Sequence, residues 1–338
     1  MNITIGDVAR MANVSKGTVS AVLNDKNTVS EATRKKVLAV IEKLNYRPNQ
    51  VARSLSIRQT KSIGLVIKEI DNPYFAKVMK GVFDVCVKSG YTVLLGSSEL
   101  DPEQERQSVD TLRNQQVDGL ILSPLHGENQ DFTYLAELLR FKYPLVMLEP
   151  VQNFTTNVVS VDNVQAAYRA ISYLIELGHT DIAYFAGPQY SAHSENRLEG
   201  YRQALIDHNI PIRKDLIIQA GSNIEDGYRT GTALFSSSGD KPTAVFCYND
   251  LVAVGLVDAL VEMGIGIPEQ VSVIGFDDIA FCESARIPLT TVHMPTYEIG
   301  EAAATLLINQ ILVRDKVLNE KIVLDAHLVK RQSCGPKK

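Results

Sequence analysis

Residues 4–24, TIGDVARMANVSKGTVSAVLN, decide the first part of the fold. Thr4 stands at a helix N-cap and Asp7 answers it three residues on, the spacing of a capping box. That spacing predicts a helix over about Ile5 to Ala12, a turn at Asn13-Val14, and a second helix, capped by Ser15, over about Lys16 to Asn24. Val19, Val22 and Leu23 fall at helical spacing and can pack beside Val8, Ala9 and Ala12. A third helix is expected after Ser30 with Glu31 in its first turn. Val37, Leu38, Ile41 and Leu44 form its apolar stripe, and Pro48 ends the pattern. Three such helices can just close a small core.

Charge sets this head apart from the remainder. Residues 1–61 carry 11 Lys/Arg against 4 Asp/Glu, a net of +7, whereas the rest carries 23 against 35, a net of −12. A basic head on an acidic body is the electrostatic layout of a DNA-binding module attached to something else. With 338 residues, 45% of them hydrophobic, the chain should build more than one core. No long uncharged apolar run and no secretory leader is visible, so a cytoplasmic location away from membranes is expected. Cys86, Cys247, Cys282 and Cys334 are far apart and form no zinc or redox pair.

After the head, Asn49 to Leu55 can form a fourth, very short helical segment, followed by polar residues 56–61. Alone it is too short to hold, so it reads as a linker that folds when something supports it. From Ser62 short apolar strands alternate with amphipathic helices. The first series is Ile63 to Ile67, a helix near Tyr74 to Ser89, Thr92 to Leu95, a helix near Pro102 to Gln115, Gly119 to Leu122, and Leu145 to Leu148. A second series has helices near Asn163 to Leu177, Arg197 to His208, Ile224 to Phe235 and Asp250 to Met263. Its strands are Ile182 to Phe185, Leu216 to Gln219, Ala244 to Tyr248 and Val271 to Phe276. The alternation predicts two doubly wound parallel-sheet subdomains with a cleft between them. Ligands bind such sheets beyond the carboxyl ends of the strands.

The motifs Thr4-Ile5-Gly6-Asp7-Val8-Ala9, Thr18-Val19-Ser20, Tyr46-Arg47-Pro48-Asn49 and Ala52-Arg53-Ser54-Leu55 resemble the head of LacI/GalR repressors. In the body, Asn72-Pro73-Tyr74-Phe75, Leu177-Gly178-His179, Arg197-Leu198-Glu199-Gly200-Tyr201, Tyr248-Asn249-Asp250 and Ile274-Gly275-Phe276-Asp277-Asp278 look like that family's motifs, in order. The resemblance covers almost the whole chain. It implies an α+β multidomain fold: an all-α helix-turn-helix head over 1–46 and a hinge helix and linker over 47–61, then an α/β periplasmic-binding-protein-like body. The body would divide into an N-terminal subdomain of residues 62–161 with 292–321 and a C-terminal subdomain of residues 162–291 with 322–334.

The same resemblance implies a sequence-specific repressor that binds a near-palindromic double-stranded DNA operator as a homodimer, second helices in successive major grooves. By matching position, DNA contacts fall at Thr4, Ile5, Ser15, Lys16, Gly17, Thr18, Ser20, Ala21 and Asn24. Tyr46, Asn49 and Ala52 would lie near backbone or hinge contacts, and Leu55 would wedge into the minor groove. The family often has arginine where Ala21 stands, and a methyl group cannot make a bidentate contact to guanine, so the half-site should differ there or be read more loosely. Arg34-Lys35-Lys36 fits either a solvated face or phosphate contact. Tetrameric relatives append a leucine-rich heptad helix after the final strand and this sequence shows none, so a dimer is expected.

In the cleft, Arg197 and Asp277 match effector-gripping positions, though two such residues can equally form a structural salt bridge. Asn249 could bond a ligand or the adjacent loop. Tyr74 and Phe75 could stack on a ring or fill the core. Glu149, His193 and Asn223 complete the expected effector set. A sugar or sugar derivative is the favoured effector. Purines or a partner phosphoprotein act in certain family members and stand as alternatives. No cofactor, metal or catalysis is expected: there is no Gly-x-Ser-x-Gly elbow, phosphate-binding Gly-rich loop or His-Glu-x-x-His pair, and His126, His179, His208, His293 and His327 read as ordinary histidines. A solute-binding protein shares the body but not the basic head.

Overall fold

The computed structural model describes residues 3–23, 28–46, 59–127, 131–189, 191–313 and 319–338. The chain forms two compact units, residues 1–60 and 61–338. The head contains α1 (Ile5–Ala12), α2 (Lys16–Leu23) and α3 (Glu31–Lys43). At the start of α1 the Asp7 carboxylate accepts from the Thr4 backbone N–H at 3.0 Å and from its hydroxyl at 2.7 Å. Asn13 closes the helix in the left-handed region, φ 52°, which reverses the chain toward α2. Ser15 caps α2 by accepting from the Thr18 N–H at 3.0 Å. Val8, Ala9, Ala12, Val19, Val22 and Val37 are the buried core, as their spacing predicts. Leu38 differs from expectation: it is exposed, because the one-turn core of so small a unit is filled by Val37 together with Val40, Ile41 and Leu44.

The body runs β1 (Ser62–Ile67), α4 (Pro73–Lys88), β2 (Thr92–Ser97), α5 (Pro102–Asn114), β3 (Leu120–Leu122), α6 (Thr133–Arg140), β4 (Leu145–Met147) and β5 (Asn157–Val161). It continues with α7 (Asn163–Glu176), β6 (Ile182–Ala186), α8 (Ala192–Asp207), β7 (Ile217–Gln219), α9 (Ile224–Ser236), β8 (Ala244–Cys247), α10 (Asp250–Glu262) and β9 (Ser272–Ile274). The short α11 (Phe281–Ser284), β10 (Thr291–His293), α12 (Thr296–Leu312), β11 (Lys321–Leu324) and β12 (His327–Val329) complete it. One sheet has the order β11-β5-β4-β3-β1-β2, another β7-β6-β8-β9, and β10 pairs with β12. Both larger sheets are parallel, and the β10–β12 pair is antiparallel.

Each parallel sheet defines a lobe, and the strands β1, β3, β4, β6, β8 and β9 are buried nearly throughout because helices cover both faces, whereas the edge strands β2, β7 and β11 are partly exposed. Sequence reasoning named no element at α6, β5, α12, β11 or β12, and it began α8 one turn late at Arg197. Lys321–Leu324 pairs in parallel with β5, so β11 belongs to the first sheet and the chain leaves that lobe after Leu324 rather than at 321. The strand ends of the two sheets carry the polar residues: Lys68 and Glu69 after β1, Ser123 after β3, Glu149 after β4, Tyr248 and Asn249 after β8, and Asp277 after β9.

Candidate functional site

On the head, the first turn of α2 presents Ser15, Lys16 and Gly17 to solvent, with Thr18 and Ser20 half-buried on the following turn. Thr4 is exposed and Ile5 half-buried at the start of α1. A Cβ on Gly6 would lie 3.2 Å from the Lys16 Cε, so the lysine stem runs back along the start of α1. Ala21 is half-buried on α2, and Tyr46 packs half-buried against the head core. The expected contacts Asn24, Asn49, Ala52 and Leu55, and with them the expected hinge helix, lie outside the described residues.

In the body, a narrow pocket of about 20 Å³ opens between the strand ends of the two sheets. Six of the eight expected effector residues line it: Tyr74, Phe75, His193, Arg197, Asn249 and Asp277. Arg197, on α8, is 2% exposed and the most fully engaged of them. Its Nε donates to Asn163 Oδ1 at 3.0 Å, its Nη1 to the Tyr248 carbonyl, and its Nη2 to Asp277 Oδ1 at 3.3 Å. The guanidinium also lies 3.6 Å from the Phe276 ring centroid. Because Arg197 is shared among all these partners, its pull on Asp277 is diluted, and burial pushes the Asp277 carboxyl up to about 8. The pair, joined by that hydrogen bond, forms one wall of the pocket.

Tyr74 and Phe75 sit at the start of α4 because Asn72 caps that helix, accepting from the Tyr74 N–H at 3.0 Å. Their rings meet edge to face at 5.0 Å. Glu149 lies behind the pocket wall, 3% exposed, paired with Lys68. Two histidines flank its Oε2, His193 Nε2 at 3.3 Å from the second lobe and His126 Nε2 at 3.6 Å from the first. Burial drives His193 down to about 3, so it is neutral at physiological pH, and burial lowers His126 as well. Against the opposing effect of burial, the Lys68 ammonium in direct contact holds the Glu149 carboxyl well below the usual carboxylate range.

Asn223 does not line the pocket. It caps α9, accepting from the Asp226 N–H at 2.9 Å, and is exposed. Asn249 lines the pocket, but its amide donates to the Ser222 carbonyl at 2.8 Å and its oxygen caps α10. Sequence reasoning missed Lys68, Glu69, Asn72, Leu100 and Tyr248 in the lining. Lys68 and Glu69 did carry a signal, since charges directly follow an apolar strand. Ser222 donates across the lobes to Glu69 Oε1 at 2.7 Å. Among the described residues no group of His, Cys, Asp and Glu could hold a metal ion, and no helix is long and apolar enough to cross a membrane.

A helix-turn-helix head joined to a two-lobed ligand-binding body defines a transcription regulator that binds DNA. Residues 4–49 match the lacI family of bacterial regulatory proteins, and residues 171–334 match the periplasmic binding protein-like domain. The chain is 37% identical over 337 residues to the HTH-type transcriptional repressor PurR of Klebsiella pneumoniae (strain 342), covering 98% of this chain and 97% of the relative. The Lac repressor dimer bound to operator and the anti-inducer ONPF superposes with a TM-score of 0.86 at 27% identity, over 98% of this chain and 99% of that one. The transcriptional regulator CelR in its cellobiose complex gives 0.73 at 30% identity, over 98% and 99%. The chain belongs to the LacI family and is a DNA-binding transcriptional repressor. Its relatives are repressors rather than enzymes.

Proposed function

We propose that the protein represses transcription as a homodimer on a near-palindromic operator, α2 in the major groove, and is switched by a nucleobase-class effector bound between the lobes. The observation that carries the effector half is the pocket itself, in which Arg197, Asp277, Asn249 and the Tyr74–Phe75 pair converge from two lobes. A flat heterocycle offers an apolar face to the aromatic rings and a donor–acceptor edge to Asp277 and Arg197. The expectation of a carbohydrate is given up because the Klebsiella relative is a repressor named PurR. A second reading, a sugar, keeps one support: the similar CelR structure is a cellobiose complex.

Support for a dimer comes from the Lac repressor structure, which is a dimer on its operator. It comes also from an apolar groove on the second lobe lined by Leu251, Val254, Phe281 and Ile287, with Phe281 62% exposed. A role on the chromosome places the protein in the cytoplasm. The test is fluorescence anisotropy on DNA from upstream of its own coding sequence, titrated with hypoxanthine, guanine, ribose and cellobiose. A nucleobase is expected to change operator affinity at least tenfold, about 1.4 kcal/mol of differential binding, with no response to either sugar. A response to cellobiose or ribose alone restores the carbohydrate reading.

A further inference from the structure

We propose that Asp278 is a positioning residue for the pocket: clamped between His293 and Arg331, it holds Asp277 in the backbone conformation that aims its carboxylate at Arg197. This rests on the effector reading of the pocket. Asp277 and Asp278 are consecutive non-glycine residues at φ 113° and φ 55°. Side chains rarely adopt the first of these values, and such a conformation persists only where the surroundings over-determine it.

The surroundings here are specific. The Asp278 carboxylate accepts from Arg331 Nη2 at 2.8 Å and from His293 Nδ1 at 2.9 Å. These partners come from two different segments, β10 and the residues after β12, which are themselves joined as an antiparallel pair. Arg331 is fixed in turn, its Nη1 donating to the Leu289 carbonyl and its backbone N–H to Thr290 Oγ1, both at 2.9 Å. The His293 ring faces His327 at 4.9 Å.

On the near side the Asp277 N–H donates to the Val292 carbonyl at 2.9 Å. On the far side Asp250 accepts from the Ile279 N–H at 2.9 Å and from Thr291 Oγ1 at 2.5 Å. The turn 277–279 is thus tied at every residue to the segment 290–293. Because α12 begins at Thr296, the same segment carries the chain directly into a helix packed on α4, whose first turn supplies Tyr74 and Phe75. Asp278 consequently joins the Asp277 wall of the pocket to the strand that leads toward the aromatic wall.

Asp278→Asn keeps the size but turns one donor of its amide against either Arg331 or His293, both of which are donors. His293→Asn keeps a donor near the Nδ1 position and serves as the conservative control. In the full-length protein without ligand, D278N is expected to raise amide exchange at least tenfold within residues 275–279 and 290–294 while the rest of the second lobe stays protected. Calorimetry with hypoxanthine is expected to show Kd raised at least tenfold in D278N and within threefold of wild type in H293N. Unchanged exchange in those segments, a uniform rise across the lobe, or wild-type hypoxanthine affinity in D278N overturns the positioning role. Hypoxanthine failing to bind the wild type overturns the nucleobase reading instead, and the exchange result still decides the role of Asp278.

Discussion

Asp277 accepts from Arg197 inside a pocket where water cannot screen the pair, and that gives the body a pH signature. Its carboxyl is raised to about 8, whereas in the unfolded chain it titrates near 3.8. Between these values the native state binds the extra proton, so stability falls as pH rises. Asp250, raised to about 6, acts in the same direction but has largely finished by pH 7, whereas Glu105, raised to about 7, is half titrated there and adds a smaller loss above it. His193 works the opposite way, since its depressed value adds stability as pH climbs toward 6.5 and nothing beyond. From pH 7 to 8, therefore, Asp277→Asn should shrink the loss seen in thermal unfolding by about 1 kcal/mol, leaving the smaller share of Glu105. Parallel profiles for the two proteins across that interval would show that Arg197 keeps Asp277 ionised. The sequence exposed Asp277 and Arg197 through their motifs. It did not expose His126 as a neighbour of Glu149, because the two come from the ends of different strands, β3 and β4, and only the sheet order brings them together.

Helices that cross closely do so at glycines. A Cβ on Gly255 of α10 would fall 1.9 Å from the Ile224 carbonyl oxygen, and one on Gly227 of α9 would fall 2.1 Å from that of Val252. The contact is reciprocal, as it is between α4 and α12, where Gly81 meets the Tyr297 carbonyl at 2.2 Å and Gly300 that of Val78 at 2.1 Å. Backbone, not a flexible side-chain end, blocks each position, so a methyl group must push the helices apart and open the core behind them. Gly255→Ala is expected to lower unfolding free energy by about 2 kcal/mol or more, read by urea denaturation. Gly266→Ala, whose methyl would meet the Glu269 carboxylate tip at 3.3 Å, should cost far less, and equal losses for both would refute the packing argument. Elements with local signals were legible in sequence: α1 through its capping box, α2 through Ser15, α4 through Asn72-Pro73. Those without such signals were not. α12 has no side-chain cap at Pro295, and its polar face is only a narrow stripe of Glu298, Glu301, Thr305 and Asn309 on a helix that is otherwise largely buried. Strands as short as β11 and β12 are defined by their pairing partners rather than by composition.

On the scale of the whole chain, the division of charge and the division of structure coincide. The basic stretch 1–61, at net +7, matches the unit 1–60, and the acidic remainder matches the unit 61–338. Each unit has its own core, six small side chains in the head against extended clusters in the body. That organisation implies separable duties. A fragment of residues 61–338 should unfold cooperatively, retain the pH 7 to 8 slope assigned to Asp277, and lose all affinity for operator DNA. The full chain should bind operator with steep salt dependence, because lysines and arginines displace condensed counterions from phosphates. If about six phosphates are neutralised, affinity falls by about a thousandfold between 50 and 200 mM salt. Raising salt should leave the body's thermal midpoint nearly constant, since its Lys68–Glu149 and Arg197–Asp277 contacts are buried from solvent and its exposed ion pairs are each worth little. An operator affinity indifferent to salt would separate the charge of the head from its function, and a fragment that fails to fold would mean that the body needs the head to complete its core.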